Sequence, residues 1–244
     1  PPKESLSFLA SLALQFDAIL QTLMQIDVER ATAYSQNDME RIAEAARSFP
    51  GGGVVQINTI IKNGMRKWLV DTATSGMTAS ADDEKGNTSE AERQARAHLC
   101  QQVGRLQLQQ GNGVEAERLL RKAVTSLTDL VGATAARTAI CWNHLADALK
   151  QQGKTLESLQ ACRKALSIYE NLSNGERSNV HYASLMAATS NVATLTLNMA
   201  METKNRAKLK DDLETATSVA KLMDESEVLY RRVVEYEEVI CEKI

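Results

Sequence analysis

Residues 109–123, QQGNGVEAERLLRKA, and residues 151–165, QQGKTLESLQACRKA, decide the fold of this chain. Both stretches begin with Gln-Gln-Gly and end with Arg-Lys-Ala, and both strings recur after 42 residues (151 − 109 and 163 − 121). Apolar positions outside the strings follow the same shift, because Val103 corresponds to Leu145 and Leu130 to Leu172. Two independent strings at one offset, with no gap between them, indicate an internal repeat.

Each copy of the repeat predicts two helices joined by a glycine turn. The pattern places helices at residues 91–110 and 114–130 in the first copy, and at 136–152 and 155–172 in the second. A glycine can adopt positive φ and end the first helix of each pair. Small residues recur where two helices must approach closely, at the equivalent pairs Gly104 and Ala146, Ala116 and Ser158, and Ala123 and Ala165.

These positions resemble a known repeat family. Trp142-x-x-Leu145-Ala146, followed by Gly153, Ser158, Cys162 and Ala165, is similar to a tetratricopeptide repeat, and residues 100–123 match it too. Such repeats are usually spaced by about 34 residues. The longer spacing here resembles the repeats of kinesin light chains. The resemblance covers residues 91–172 and implies an all-α, right-handed α-solenoid of antiparallel helical hairpins that binds other proteins.

Weaker copies of the pattern flank this region. Downstream, residues 190–193 echo 143–146, and residues 230–233 echo 162–165. The two offsets, 47 and 68, differ by 21 residues of additional sequence. Either two long helices or a loop with a short helix would accommodate it.

Upstream of the repeats, three amphipathic segments predict helices at Glu4–Gln25, Asp38–Phe49 and Val54–Thr74. In the last of these, Arg66-Lys67-Trp68 stands at the Arg-Lys-Ala position, so we interpret Trp68, like Trp142, as a packing residue. Polar residues 75–90 lack an apolar face. We therefore expect N-terminal helices with a degenerate repeat at 1–74, a flexible linker or insertion at 75–90, and repeats at 91–244 with an insertion near 201–222.

Composition and charge narrow the class of protein. Ala and Leu dominate the 43% of hydrophobic residues, aromatic residues make up 4%, and there are three prolines, which favours helices. A formal charge of −3 argues against nucleic acid as a partner. No apolar run reaches the roughly 18 residues of a membrane span, and the N-terminal stretch lacks the features of a secretory signal. Four widely spaced cysteines predict reduced, buried thiols in the cytoplasm or an organelle interior, not a secreted protein.

Catalytic and metal-binding motifs are weak. Cys141 and His144 stand three residues apart and could supply two zinc ligands, but two more at defined spacing are missing. The glycines at 51–53 lack the Gly-Lys-Ser/Thr ending of a phosphate loop. The three histidines have no recognisable acid or nucleophile partner. We therefore expect no enzyme activity, no cofactor and no metal.

The first helix of each hairpin is expected to line a concave groove. Amide side chains both donate and accept hydrogen bonds, so they suit the capture of an extended peptide, although a solvated helix face gives the same periodicity. We expect a scaffold or adaptor that binds a protein or peptide segment there, or a structural subunit of a larger assembly. The alternative is a regulatory or non-catalytic domain of an enzyme complex. The predicted groove residues are Gln101, Arg105, Gln109, Asn143, Asp147, Lys150, Asn191 and Asn198.

Overall fold

The computed structural model describes residues 2–30, 35–51, 53–79, 89–172, 179–207 and 213–241. Over these ranges the chain forms α-helices, one short 3₁₀ helix at Val28–Arg30 and connecting turns, and no residue lies in a strand. The predicted all-α class is confirmed. The chain divides into two compact units, Pro1–Val103 and Gly104–Ile244, here called the N-terminal and C-terminal units.

In its described residues, the N-terminal unit contains three complete α-helices and the start of a fourth. They are α1 (Pro2–Met24), α2 (Gln36–Arg47), α3 (Gly53–Ala79) and the part of α4 (Glu90–Gln109) that ends at Val103. Helix α1 packs on α3. Each contributes an apolar stripe of closely spaced buried residues, because side chains three or four residues apart share one helix face. The stripes consist of Leu12, Ala13 and Phe16 in α1 and Leu69, Val70 and Ala73 in α3.

Trp68 corrects one prediction from the sequence. Its side chain is 61% exposed, so the interpretation as a packing residue is wrong. The buried stripe of α3 begins at the next residue, Leu69, and consecutive residues of a helix point about 100° apart. The tryptophan is therefore turned out of the stripe that α3 buries. Trp142, by contrast, is half-buried, and the ammonium of Lys164 lies 4.4 Å from its ring centroid.

Where the structure describes it, the C-terminal unit contains the end of α4 and five further α-helices. They are α5 (Gly113–Val131), α6 (Ala136–Gln151), α7 (Thr155–Asn171), α8 (Asn179–Ala207) and α9 (Leu213–Cys241). From α5 onward, every helix packs against the next one along the chain. This succession of helical hairpins is a helical solenoid, as the repeat predicts. The helices at 113–131, 136–151 and 155–171 agree with the predicted bounds to within one residue.

Two equivalent glycine turns link the helices of the hairpins. Gly111 has φ 81° and Gly153 has φ 72°. At each turn the N–H of the following residue donates to a carbonyl five residues earlier, from Asn112 to Gln107 at 2.9 Å and from Lys154 to Leu149 at 3.0 Å. These bonds satisfy carbonyl groups that the ends of α4 and α6 leave without helical partners. The predicted role of the turn glycines is confirmed.

Small residues allow close contact inside each hairpin. A Cβ atom on Gly104 would lie only 2.8 Å from Cγ of Leu120. At the equivalent place in the next hairpin, the buried hydroxyl of Ser158 donates to the carbonyl of Ala146 at 2.7 Å. Helices α8 and α9 repeat this bond, from Ser226 to the carbonyl of Ala193 at 2.9 Å. The third hairpin therefore packs in the same register as the second, at the offsets of 47 and 68 expected from the sequence.

The additional sequence of the third hairpin lengthens its helices. Helices α8 and α9 contain 29 residues each, against 16 and 17 in α6 and α7. The sequence left two arrangements open, and the structure shows the one with two long helices. Residues 208–212, between them, lie outside the described ranges. The predicted linker at 75–90 lies mostly outside them too, but α3 continues to Ala79 and α4 begins at Glu90. The division at 74 and 90 stays a prediction.

A cluster around Glu117 joins the first hairpin to the second. The carboxylate accepts hydrogen bonds from Lys154 at 2.7 Å and Gln152 at 2.8 Å, both at the turn between α6 and α7, and from Arg121 on its own helix at 2.8 Å. Burial raises the pKa of Glu117, but these three donors outweigh it and hold the pKa at about 2. The ionised carboxylate therefore stabilises the contact between neighbouring hairpins.

Candidate functional site

Helix α6 carries a polar face beside its buried stripe. Leu145, Ala146 and Leu149 are buried. Asn143, His144 and Asp147 are half-buried, and Lys150 is exposed one turn further along. Residues three and four apart share a helix face. The side chain of Asp147 therefore projects between those of Asn143 and His144, and the side chain of Lys150 projects in nearly the same direction as that of Asn143. We call these four residues the α6 polar face.

Asn143 lies near the middle of α6, where its side chain approaches α7. Its amide is within reach of the hydroxyl of Tyr169 on α7, as is the hydroxyl of Ser184 on α8. Burial raises the pKa of Tyr169 to about 12, against the opposing effect of these two polar neighbours. The buried Oδ1 atom of Asn143 has no hydrogen-bond partner within the described ranges. An acceptor left in this state destabilises the fold unless a water molecule or a ligand satisfies it.

His144 faces the other neighbouring first helix. Burial and, to a smaller extent, the positive charge of Arg105 on α4 together lower the pKa of His144 from 6.5 to about 4. The ring is therefore neutral at pH 7. Its Nδ1 atom is buried and makes no hydrogen bond to any residue that the structure describes. The imidazole thus adds a second polar group that the fold does not satisfy.

Asp147 is a carboxylate held partly out of water. Burial raises its pKa, and the ammonium of Lys150 opposes that effect. The carboxylate also acts on Cys162 of α7, where burial and the charge of Asp147 together raise the thiol pKa to about 12. A carboxylate with a raised pKa destabilises the folded state at neutral pH. Ionisable groups whose pKa shifts destabilise the folded state in this way are concentrated at functional sites.

The other predicted groove residues differ in how accessible they are. On α4, Arg105 is half-buried and Gln109 is exposed, whereas Gln101 in the N-terminal unit is only 8% exposed. On α8, Asn191 and Asn198 are half-buried. Burial of Gln101 leaves little of its amide for a partner. The sequence indicates His144 only as a possible zinc ligand, because its burial and the nearness of Arg105 depend on how the helices pack.

Cys141 and His144 are not joined by a third candidate metal ligand among the described residues. The Cys141 side chain is fully buried. No group of three or more His, Cys, Asp or Glu residues is placed to hold a metal ion among the residues that the structure covers.

The repeat geometry agrees with comparison to known proteins. Residues 93–171 match the family model of the tetratricopeptide repeat. These residues form a tetratricopeptide repeat segment. The tetratricopeptide segment contains nearly all of α4 and the whole of α5, α6 and α7, so it includes the α6 polar face. No curated protein matches the chain.

Tetratricopeptide repeats generally mediate contacts between proteins, and the α6 polar face lies on a first helix of the segment. The third hairpin, α8 and α9, lies outside the matched residues but repeats the serine-to-carbonyl bond of the second. None of the described helices is both long enough and apolar enough to cross a membrane.

Proposed function

We propose that this protein is a non-catalytic scaffold or adaptor that binds a segment of a partner protein along the α6 polar face. The observation that carries the proposal is the energetic cost of that face. Burial raises the pKa of Asp147 and lowers that of His144, and the buried Oδ1 atom of Asn143 and Nδ1 atom of His144 lack hydrogen bonds within the described ranges. Proteins commonly retain such destabilising groups where a ligand uses them.

The chemistry of the face suits an extended peptide. The half-buried Asn143 side chain can donate to a peptide carbonyl through its amide N–H. Asp147 and Lys150, three residues apart on the surface of α6, present opposite charges to side chains of the bound segment. The neutral ring of His144 can donate one hydrogen bond and accept another, through the two nitrogens. The flanking residues Arg105 on α4 and Asn191 and Asn198 on α8 would extend contact along the segment.

Site-specific photo-crosslinking tests the proposal. A photoreactive residue in place of Arg137, exposed on α6, should crosslink the partner, whereas one in place of Gln160, exposed on α7, should not. Asn143→Ala combined with Asp147→Ala should reduce the yield from position 137 at least tenfold, which corresponds to about 1.4 kcal/mol of binding free energy. Equal crosslinking from both positions, or a yield that the double variant leaves unchanged, would refute binding at α6.

A further inference from the structure

Ion pairs join successive second helices of the hairpins in a repeating register. Arg121 of α5 binds Glu157 of α7 at 2.8 Å, and Arg163 of α7 binds Glu225 of α9. The arginines are separated by 42 residues and the glutamates by 68, the offsets that relate the hairpins. The same ion pair therefore connects the first hairpin to the second and the second to the third.

A second ion pair joins α7 to α9, with the positive and negative partners exchanged between the helices. Glu170 of α7 binds Arg232 of α9, so α7 offers an arginine and a glutamate seven residues apart. Helix α9 repeats this spacing in the same order, with Arg231 and Glu238 at the equivalent positions, 68 residues further on. Within the described ranges, Arg231 pairs only with Glu227 of its own helix.

The apolar position between these two charges also differs in exposure between α9 and the earlier second helices. Val124 of α5 and the equivalent Leu166 of α7 are 6% and 7% exposed. Val234 occupies that position on α9 and is 55% exposed. Val228 is similarly exposed, but the equivalent residues Arg118 and Gln160 are also exposed. Val234 is thus exposed at a repeat position whose residues are buried in both earlier hairpins.

Helix α9 also repeats the Glu117 cluster of α5. Glu117 pairs with Arg121 four residues later, as Glu227 pairs with Arg231. In α5 the glutamate additionally binds Lys154 at the turn of the following hairpin. Glu227 lies at the equivalent position, 110 residues after Glu117.

We propose that Glu227, Arg231, Val234 and Glu238 form a docking face for a helical hairpin of a partner protein. The equivalent interface between successive hairpins of this chain indicates which groups the partner hairpin carries. Its turn carries a lysine or an amide for Glu227, and the first turn of its second helix carries a carboxylate for Arg231. A basic residue seven positions later binds Glu238. Glu237 departs from the pattern, because Leu127 and Tyr169 at the equivalent positions are buried. The partner therefore meets it with a polar or basic side chain.

The docking face is on α9 and the α6 polar face is on α6, so each can be disabled without the other. The hairpin of this chain that contains α6 and α7 carries the specified groups, since Lys154, Glu157 and Lys164 have the required order and spacing. A second copy of residues 132–172, joined after Cys241, is therefore the probe. Cys241 is equivalent to Val131, the residue that precedes this segment in the chain.

Amide hydrogen exchange of the extended chain tests the fit. Residues 228–238 should exchange at least tenfold more slowly than in the parent chain. Val234→Asp should abolish that protection and lower the melting temperature of the extended chain by about 5 °C. The parent chain should tolerate the same change, because the side chain there is solvated. Val228→Asp, at an equally exposed position outside the register, should leave both chains unchanged.

A charge exchange then tests the ion pair. Arg231→Glu should reduce the protection, and Glu157→Arg in the added copy alone should restore it. Unprotected α9 in the extended chain, or equal effects of the changes at 228 and 234, would overturn the proposal. Binding at α6 would be unaffected by that result.

Discussion

Replacing Gly104 by alanine tests the close contact between α4 and α5. The new Cβ atom would lie 2.8 Å from Cγ and 3.1 Å from Cδ2 of Leu120, and 3.4 Å from Cβ of Leu119. Leu120 is fully buried and has little room to move. Overpacking of this kind costs about 1–3 kcal/mol. Alanine in place of glycine inside a helix returns about 1 kcal/mol. We therefore expect Gly104→Ala to lower the free energy of unfolding by about 0–2 kcal/mol.

Gly64 supplies the matched control. It also lies inside a helix, α3, but a Cβ atom there would meet no heavy atom within 4 Å. Gly64→Ala should therefore stabilise the chain by about 1 kcal/mol through helix propensity alone. Urea unfolding followed by circular dichroism measures both changes. Leu120→Val should cost less in the Gly104→Ala background than in the parent chain, because the smaller side chain relieves the contact. Equal stabilisation by the two alanine substitutions would show that α4 and α5 are not in tight contact at Gly104.

Two further predictions concern titratable groups. Glu117→Gln should destabilise the C-terminal unit by about 1–2 kcal/mol at pH 7 through loss of its charged hydrogen bonds. The folded-state pKa is depressed from 4.5 to about 2, so the contribution is present above pH 4.5 and is lost as the pH falls towards 2. Urea unfolding of parent and variant should converge at low pH, and a constant difference would contradict the assignment. For His144, neutral in the folded state, stability should fall between pH 6.5 and about 4, by at most roughly 3 kcal/mol. His144→Gln should remove that part of the pH dependence, and an unchanged profile would mean that the imidazole is not desolvated.

The sequence predicts the repeat geometry well because that geometry depends on local features. Gly111 and Gly153 end their helices through a local property, the positive φ that glycine adopts readily, and small residues at 104, 116 and 158 permit close contacts between helices. The third hairpin could also be placed, since Ser226 and Ala193 stand at the same offsets as the neighbouring strings.

Other features depend on packing that one sequence does not encode locally. The exposure of Trp68 depends on which stripe of α3 is covered, and a shift of one residue turns a side chain by about 100°. The burial of Gln101 and the perturbed pKa values of His144 and Asp147 depend on neighbouring helices. Sequence periodicity assigns residues to the surface of a first helix. It does not distinguish a fully solvated polar face from one whose partly buried polar groups lower the stability of the fold.

The yield of photo-crosslinking from position 137 in the Asp147→Asn variant tests the central claim most directly. Asparagine keeps the shape of the side chain and removes the charge that burial disfavours, so the fold should be retained or stabilised. If the α6 polar face binds the partner, the crosslinked yield should fall although the protein is at least as stable. An undiminished yield from this more stable variant would contradict the assignment of the binding surface to α6.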